Sequence, residues 1–367
     1  MSPAPHLLIE DLHTYFYSSE RHAFIHSVDG VDLSVAKGET LGIVGESGSG
    51  KSITMLSVMG LIQANPGVLK GRVTLQSKGG SVDLIPQIED YVELENKDQS
   101  IVSVKKDTVS WRKHIERTMK SIRGKEISMI FQNPKAALNP FTTVGKQIVE
   151  MVRLHNPSET EKSAREKAMY WLERVKIDDP VNRFDAFPGD LSGGMCQRAM
   201  VAMALASEPS LLIADEPTTG LDATIQASIV QLLQELKTDL GITMILISHD
   251  ISVISALSDK VAVMYGGQVV EHGPARDILE VKDHVKNHPY TKALLSSIPD
   301  EKNVLPNGHL KSIEGEVPDT IDVPCGCRFV ERCNAYDAGL KTKCVNARPR
   351  LVNITPDHRV RCWLYQE

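Results

Sequence analysis

Gly45-Glu46-Ser47-Gly48-Ser49-Gly50-Lys51-Ser52 has the residue types and spacing of a phosphate-binding loop. Gly45, Gly48 and Gly50 let the backbone curl until successive N–H groups and a helix N-terminus converge on phosphate oxygens. In that pattern Lys51 reaches the β- and γ-phosphates and Ser52 ligates Mg²⁺. The flanks supply the context the motif needs. Glu39–Gly45 reads as a short buried strand, and the run from Ser52 to Met59 as the opening of a helix. Taken alone, the loop could still be a glycine-rich turn with a solvated lysine.

Two further apolar runs end in residues able to work on a phosphate. Leu211-Leu-Ile-Ala-Asp215-Glu216 reads as a buried parallel strand delivering two acids to a sheet edge. Asp215 would complete the Mg²⁺ shell and Glu216 would polarise an attacking water, although Asp-Glu-Pro could merely cap a helix. Thr243-Met-Ile-Leu-Ile-Ser248 ends the same way and delivers His249 towards a γ-phosphate, where a lone histidine would more often be structural.

Leu191-Ser192-Gly193-Gly194-Met195, twenty residues ahead of the Leu211 strand, resembles the signature of ATP-binding-cassette (ABC) proteins. The resemblance extends, in family order, to Gln132 in Ile-Phe-Gln-Asn-Pro (Q-loop), Asp222 in Gly-Leu-Asp-Ala (D-loop) and His249 in Ser-His-Asp (H-loop). It implies ATP and Mg²⁺ as ligands, and a head-to-tail pair of cassettes in which Ser192, Gly193 and Gly194 of one subunit touch the γ-phosphate held by the other. Gln132 would sense both the Mg²⁺ and a transmembrane partner. An aromatic in His13-Thr-Tyr15-Phe16 would stack on adenine, Phe16 first and Tyr15 second. Cys196 departs from the family, which usually places a polar or basic residue there.

The resemblance implies an α/β fold: a RecA-like mixed-sheet core, an antiparallel β subdomain and a helical signature subdomain. A chain of 367 residues suits two or three domains. We place the ATPase domain at residues 1–280, with the helical subdomain at about 135–205. Gly71–Gln76, Val261–Met264 and Gln268–Val270 read as strands. Residues 77–120 read as a polar surface insertion of little periodicity. Ser158-Glu-Thr-Glu161 resembles a capping box, followed at helical spacing by Ala164, Ala168, Met169, Leu172 and Val175.

Residues 281–367 form a small cysteine-rich extension. His288-Pro-Tyr-Thr-Lys-Ala-Leu-Leu295, followed by cysteines, resembles the C-terminal extension of oligopeptide and dipeptide importer ATPases. Cys327, Cys333, Cys344 and Cys362 match its four-cysteine pattern, leaving Cys325 spare. Four clustered cysteines in a reducing compartment point to a metal rather than to disulfides, with buried small hydrophobes as the alternative. The resemblance favours a 4Fe-4S cluster over zinc. Eight Lys or Arg against three acids over 328–361 read as compensation for thiolates, a membrane contact or a solvated surface.

The net charge of −6 offers no bulk attraction to nucleic acid. No apolar run approaches the roughly 18 to 20 residues that cross a bilayer, and the N-terminus lacks a signal-peptide profile. The expected protein is therefore an ATPase on the cytoplasmic face of the cell's inner membrane, powering uptake of peptides or related solutes. Its expected partners are two transmembrane permease subunits, a second ABC ATPase subunit and an external solute-binding protein. The rival reading is a soluble ABC ATPase acting on DNA or ribosomes. An exporter ATPase is disfavoured by the His288 segment and the cysteine tail.

Overall fold

The computed structural model describes residues 4–77, 79–97, 100–280, 285–297, 313–321, 323–335 and 338–366. The chain divides into two compact units: residues 1–35, 41–117 and 249–367 in one, and 36–40 with 118–248 in the other.

The first unit holds a four-stranded antiparallel sheet in the order Ala23–Val35, Leu7–Ser18, Pro66–Ser77, Gly80–Asp83. Leu7 and Ile9 face its core, and the pairing shifts register around Asp11, whose φ is 47°. The strand Thr40–Val44, of which residues 41–44 belong to this unit, pairs in parallel with Lys260–Tyr265, with Leu41 opposite Lys260. Antiparallel strands Gln268–Pro274, Arg359–Val360 and Val352–Asn353 extend that ribbon, so the C-terminal tail enters the sheet. The extension after residue 280 therefore packs within the unit that carries Gly45–Ser52.

Residues 77–120 contain more order than the sequence suggested. They include the strands Gly80–Asp83, Val92–Lys97 and Ser100–Lys106 and the helix Thr108–Met119. Leu84, Ile85 and Ile88 are buried, as are Trp111, Ile115 and Met119, which lie four apart as one helical stripe. Charged residues between these anchors mask the period.

The second unit has three parallel strands in the order Thr243–Ile247, Leu211–Asp215, Ile127–Ile130. Every residue of all three is buried, as strands covered on both faces require. The helices Val144–His155, Glu161–Arg174 and Gly193–Leu205 make up most of its helical part. The cap before Glu161 differs from expectation. Thr160, not Ser158, is the N-cap, its hydroxyl accepting from the Ser163 N–H at 3.2 Å. Met169 is only half-buried, and Trp171 takes a core place instead.

Tail and sheet are bound together at Asp29. Its carboxylate accepts from the Tyr15 hydroxyl at 2.6 Å, from Arg348 Nη1 at 3.1 Å and from the Arg328 guanidinium, and His13 Nδ1 stands 3.1 Å away. Burial alone would raise the Asp29 carboxyl, but His13, Arg328, Arg348 and Tyr15 hold it far below the usual carboxylate range. A depressed carboxyl adds stability above its unfolded value, near about pH 4, and loses it as pH falls. Asp29→Asn, which leaves Arg328 buried without its charge partner, is expected to lower unfolding free energy by about 3 kcal/mol near neutrality and to flatten the acid limb. Urea titrations across pH 3–7 measure both effects. Unchanged midpoints at pH 7 would remove Asp29 from its central place.

Candidate active site

Gly50 is the N-cap of the helix Lys51–Val58, with φ at 97° and, being glycine, no side chain of its own to cap it. A Cβ at Gly50 would lie 2.2 Å from the Ser27 carbonyl oxygen, so both conformation and space demand glycine. Lys51 is buried, and its ammonium donates to the Gly45 carbonyl at 2.8 Å and the Glu46 carbonyl at 2.9 Å. The lysine thus bridges the loop it serves. Ser49 is buried and Ser52 half-buried on the first helical turn.

In the second unit, Asp215 ends its strand almost fully buried, and Glu216 follows at φ 48°, a left-handed conformation that costs a non-glycine residue energy. The Glu216 N–H donates to the Ile247 carbonyl at 2.9 Å, which helps fix that turn. Its carboxylate accepts from Gln132 Nε2 at 2.7 Å and from the Thr219 hydroxyl at 2.9 Å. Gln132 and Glu216, 84 residues apart, are therefore brought together. A half-buried carboxylate aimed this way can accept a proton from a water, and an exposed glutamine beside it can orient that water. His249 follows two residues after the strand Thr243–Ile247.

Ser192 caps the helix Gly193–Leu205, its hydroxyl accepting from the Met195 N–H at 3.3 Å, and remains exposed. Cys196 faces inward, fully buried, with its thiol donating to the Pro188 carbonyl at 3.4 Å. This explains how the family's usual polar residue can be absent: Cys196 fills core space, while Ser192 stays at the surface. Asp222 caps the helix Ala223–Leu240, accepting from the N–H groups of Thr224 at 3.1 Å and Ile225 at 3.0 Å.

Residues 28–219 match the ABC transporter family, and residues 270–339 match the oligopeptide/dipeptide transporter C-terminal region. The chain is 40% identical over 363 residues to the oligopeptide transport ATP-binding protein AppD of Bacillus subtilis, covering 98% of this chain and 97% of the relative. It is 39% identical to a putative peptide import ATP-binding protein of Brucella abortus, covering 100% of this chain and 99% of that one. The chain belongs to the ABC transporter family. A bacterial ABC transporter cassette solved as a dimer shares the fold, with a TM-score of 0.57 at 22% identity over 74% of this chain and 99% of that one. This ABC protein is accordingly an ATPase, built on the expected α/β fold.

Of the two aromatics singled out for adenine, Tyr15 is committed to the core of the ABC protein: it is 3% exposed, stacked on His26 at 4.1 Å, and bonded to Asp29. Phe16 is half-buried and paired in register with Ile25 and Pro66.

Cys327, Cys333, Cys344 and Cys362 line one small cavity with His288 and Phe329, and Cys325 is exposed. Burial pushes Cys327 up to about 12 and Cys362 up to about 11, with the neighbouring cysteines adding to each rise. Gly326 precedes Cys327 because a Cβ there would lie 2.0 Å from the Cys344 carbonyl. Among the described residues, however, no group of three or more His, Cys, Asp or Glu side chains is disposed as metal ligands. The expected metal set is thus not assembled as ligands. The thiols share a cavity wall, and burial favours their neutral form.

Three of the tail's basic residues are internal ties: Arg328 and Arg361 are buried, bonded to Asp29 and to the Val269 carbonyl, and the half-buried Arg332 pairs with Glu46, whereas Lys341, Lys343 and Arg350 are exposed as a solvated surface would have them. Sequence reasoning missed Thr219, Tyr290 and Arg332. The first sits three residues after Glu216, and the second lies inside the His288-Pro-Tyr segment that carried the family resemblance.

Gly50→Ala is expected to abolish MgATP binding by the folded protein, because the added methyl meets backbone on one side and forces φ from its positive value. Fluorescent-nucleotide titration with a parallel thermal melt checks this, and wild-type affinity would contradict the account of the loop.

Proposed function

We propose that this ABC protein is the ATP-hydrolysing subunit of an importer for peptides or related solutes. The observation that carries the reading is the coexistence, on one chain, of the ABC match and the oligopeptide/dipeptide C-terminal match. The full-length relatives, named for peptide import, support it, and none of those reported acts on DNA or ribosomes by name. Among the described residues no helix is long and apolar enough to cross a membrane, so the path for solute would come from other chains. We assign it two transmembrane permease subunits, a second ABC ATPase subunit and an external solute-binding protein, with this chain on the cytoplasmic face of the inner membrane. The ATPase domain is 1–280 and the importer-type extension 281–367.

In the proposed mechanism, Gly45 to Gly50 give backbone N–H groups to the phosphates, Lys51 charge to the β- and γ-phosphates, and Ser52, Asp215 and Gln132 ligands to Mg²⁺. Phe16 stacks on adenine. Glu216 accepts the proton of the water that attacks the γ-phosphorus, and the bond to the β-γ bridging oxygen breaks to leave ADP and phosphate. His249 steadies the γ-phosphate. Ser192, Gly193 and Gly194 complete the site of a partner ATPase, with Asp222 beside that interface, so ATP closes the pair and hydrolysis reopens it.

For the four cysteines we keep the metal reading, a 4Fe-4S cluster or else zinc. Its support is the single small cavity that all four cysteines line. Cys327, Cys333, Cys344 and Cys362 would hold the metal as thiolates, and the bound centre would tie their segments together.

Glu216→Gln is expected to retain MgATP affinity and lose turnover by on the order of 10²-fold or more, with the ATPase pair trapped closed. Phosphate release and native mass of the variant report this, and normal turnover would take Glu216 out of the mechanism. Cys333→Ser is expected to lower iron or zinc per chain without changing ADP binding. Elemental analysis of anaerobically purified protein decides it: equal metal in variant and wild type, or none in either, contradicts the assignment.

A further inference from the structure

Glu46, the first residue after Gly45 in the phosphate loop, is gripped at both of its polar ends by residues of the C-terminal tail. Its backbone N–H donates to the Tyr290 hydroxyl at 2.9 Å. Its carboxylate accepts a two-pronged pair from Arg332, Nη1 to Oε2 at 2.8 Å and Nη2 to Oε1 at 3.0 Å. The clamp is itself rigid. The Arg332 side chain is only 5% exposed, with Nε donating to the Glu314 carbonyl at 2.9 Å and Nη1 standing 3.2 Å from the Tyr265 hydroxyl. Tyr290 is fully buried, its ring 4.5 Å from that of Tyr265 and 5.4 Å from that of Phe329. His288 sets the start of the Tyr290 helix, with Nδ1 accepting from the Tyr290 N–H at 3.0 Å, and burial lowers its own pKa to about 3, so the ring stays a neutral acceptor.

Two consequences follow from elementary electrostatics. A loop that receives a triphosphate gains from every donor and suffers from every nearby carboxylate, and Glu46 is 25% exposed at that loop. A bidentate guanidinium neutralises this carboxylate and fixes its direction. The second consequence concerns shape. Lys51 bridges the Gly45 and Glu46 carbonyls, and a lysine that turns to phosphate must release them. The Tyr290 and Arg332 contacts do not depend on Lys51, so they keep the loop's curvature when it leaves.

We propose that Arg332 and Tyr290 are positioning residues for the nucleotide site, holding the phosphate loop in shape and cancelling the Glu46 charge, so that the importer-type tail sets the affinity of the ATPase for its nucleotide. The proposal rests on the reading of Gly45–Ser52 as the phosphate loop.

The test uses the full-length chain for MgATP binding and the assembled transporter for kcat and KM. Arg332→Gln is expected to weaken MgATP binding about tenfold and to raise KM by a similar factor, with the loss falling on KM rather than kcat. Arg332→Lys recovers part of the loss, because it restores charge without the fork. Glu46→Gln combined with Arg332→Gln recovers affinity to within about threefold of wild type, since no uncompensated anion remains. A purely structural tie would leave the double variant at least as weak as the single one, and that result overturns the proposal, as does wild-type affinity in Arg332→Gln. Should Arg332→Gln fail to fold by thermal melt, Tyr290→Phe carries the test: weaker MgATP binding supports the clamp and unchanged binding overturns it. Lys51→Ala separates the two readings. If it binds MgATP normally, the loop assignment itself fails; if it does not, an unaffected Arg332→Gln sinks only the clamp.

Discussion

Holding a polyanion with backbone N–H groups is the constraint on which this structure turns. Such groups carry only partial charge, so they must converge, and convergence needs a tight loop whose curvature comes from glycine and whose position comes from its surroundings. Gly50 shows both demands together, at φ 97° with the Ser27 carbonyl where a side chain would begin. The sheet strand Ala23–Val35 therefore serves the loop as a wall. The loop's lysine is held against its own backbone, by bonds from its ammonium to the Gly45 and Glu46 carbonyls.

The C-terminal tail belongs to the same economy of charge. Three of its arginines meet acids of the same unit: Arg328 and Arg348 meet Asp29 on the antiparallel sheet, and Arg332 meets Glu46 on the Gly45–Ser52 loop. Glu271, fully buried, accepts from the Asn287 side chain at 2.8 Å and from the His288 N–H at 2.8 Å, with His358 Nε2 at 2.7 Å. Asp29, Glu46 and Glu271 each have a partner brought from 16 or more residues away, as a carboxylate drawn out of water requires. These pairs explain why the extension lies within the unit that binds the loop.

Much of the site was legible because its chemistry is local in sequence. A strand followed at once by glycines and Lys51-Ser52, or ended by Asp215-Glu216, announces itself through apolar runs and the residues at their ends. The contact of Gln132 with Glu216 was not legible, since it spans 84 residues and depends on two parallel strands lying side by side. The clamp on Glu46 was hidden for the same reason. The helix Thr108–Met119 was missed differently: Trp111, Ile115 and Met119 keep helical spacing, but Arg112, Lys113, Glu116 and Arg117 between them drowned a stripe only one residue wide per turn. Cys196 departs from the family's usual residue within the signature, and its inward direction could not be known before the helix had a core to face.

The central claim is that ATP hydrolysis by this chain is tied to solute passage through separate permeases. The direct measurement is phosphate release by the transporter, purified with its co-isolating subunits and reconstituted in proteoliposomes, with and without peptide-loaded solute-binding protein. The account predicts hydrolysis that rises on adding the loaded binding protein and falls when the permeases are removed. Hydrolysis indifferent to both, and stimulated instead by DNA or ribosomes, would contradict it.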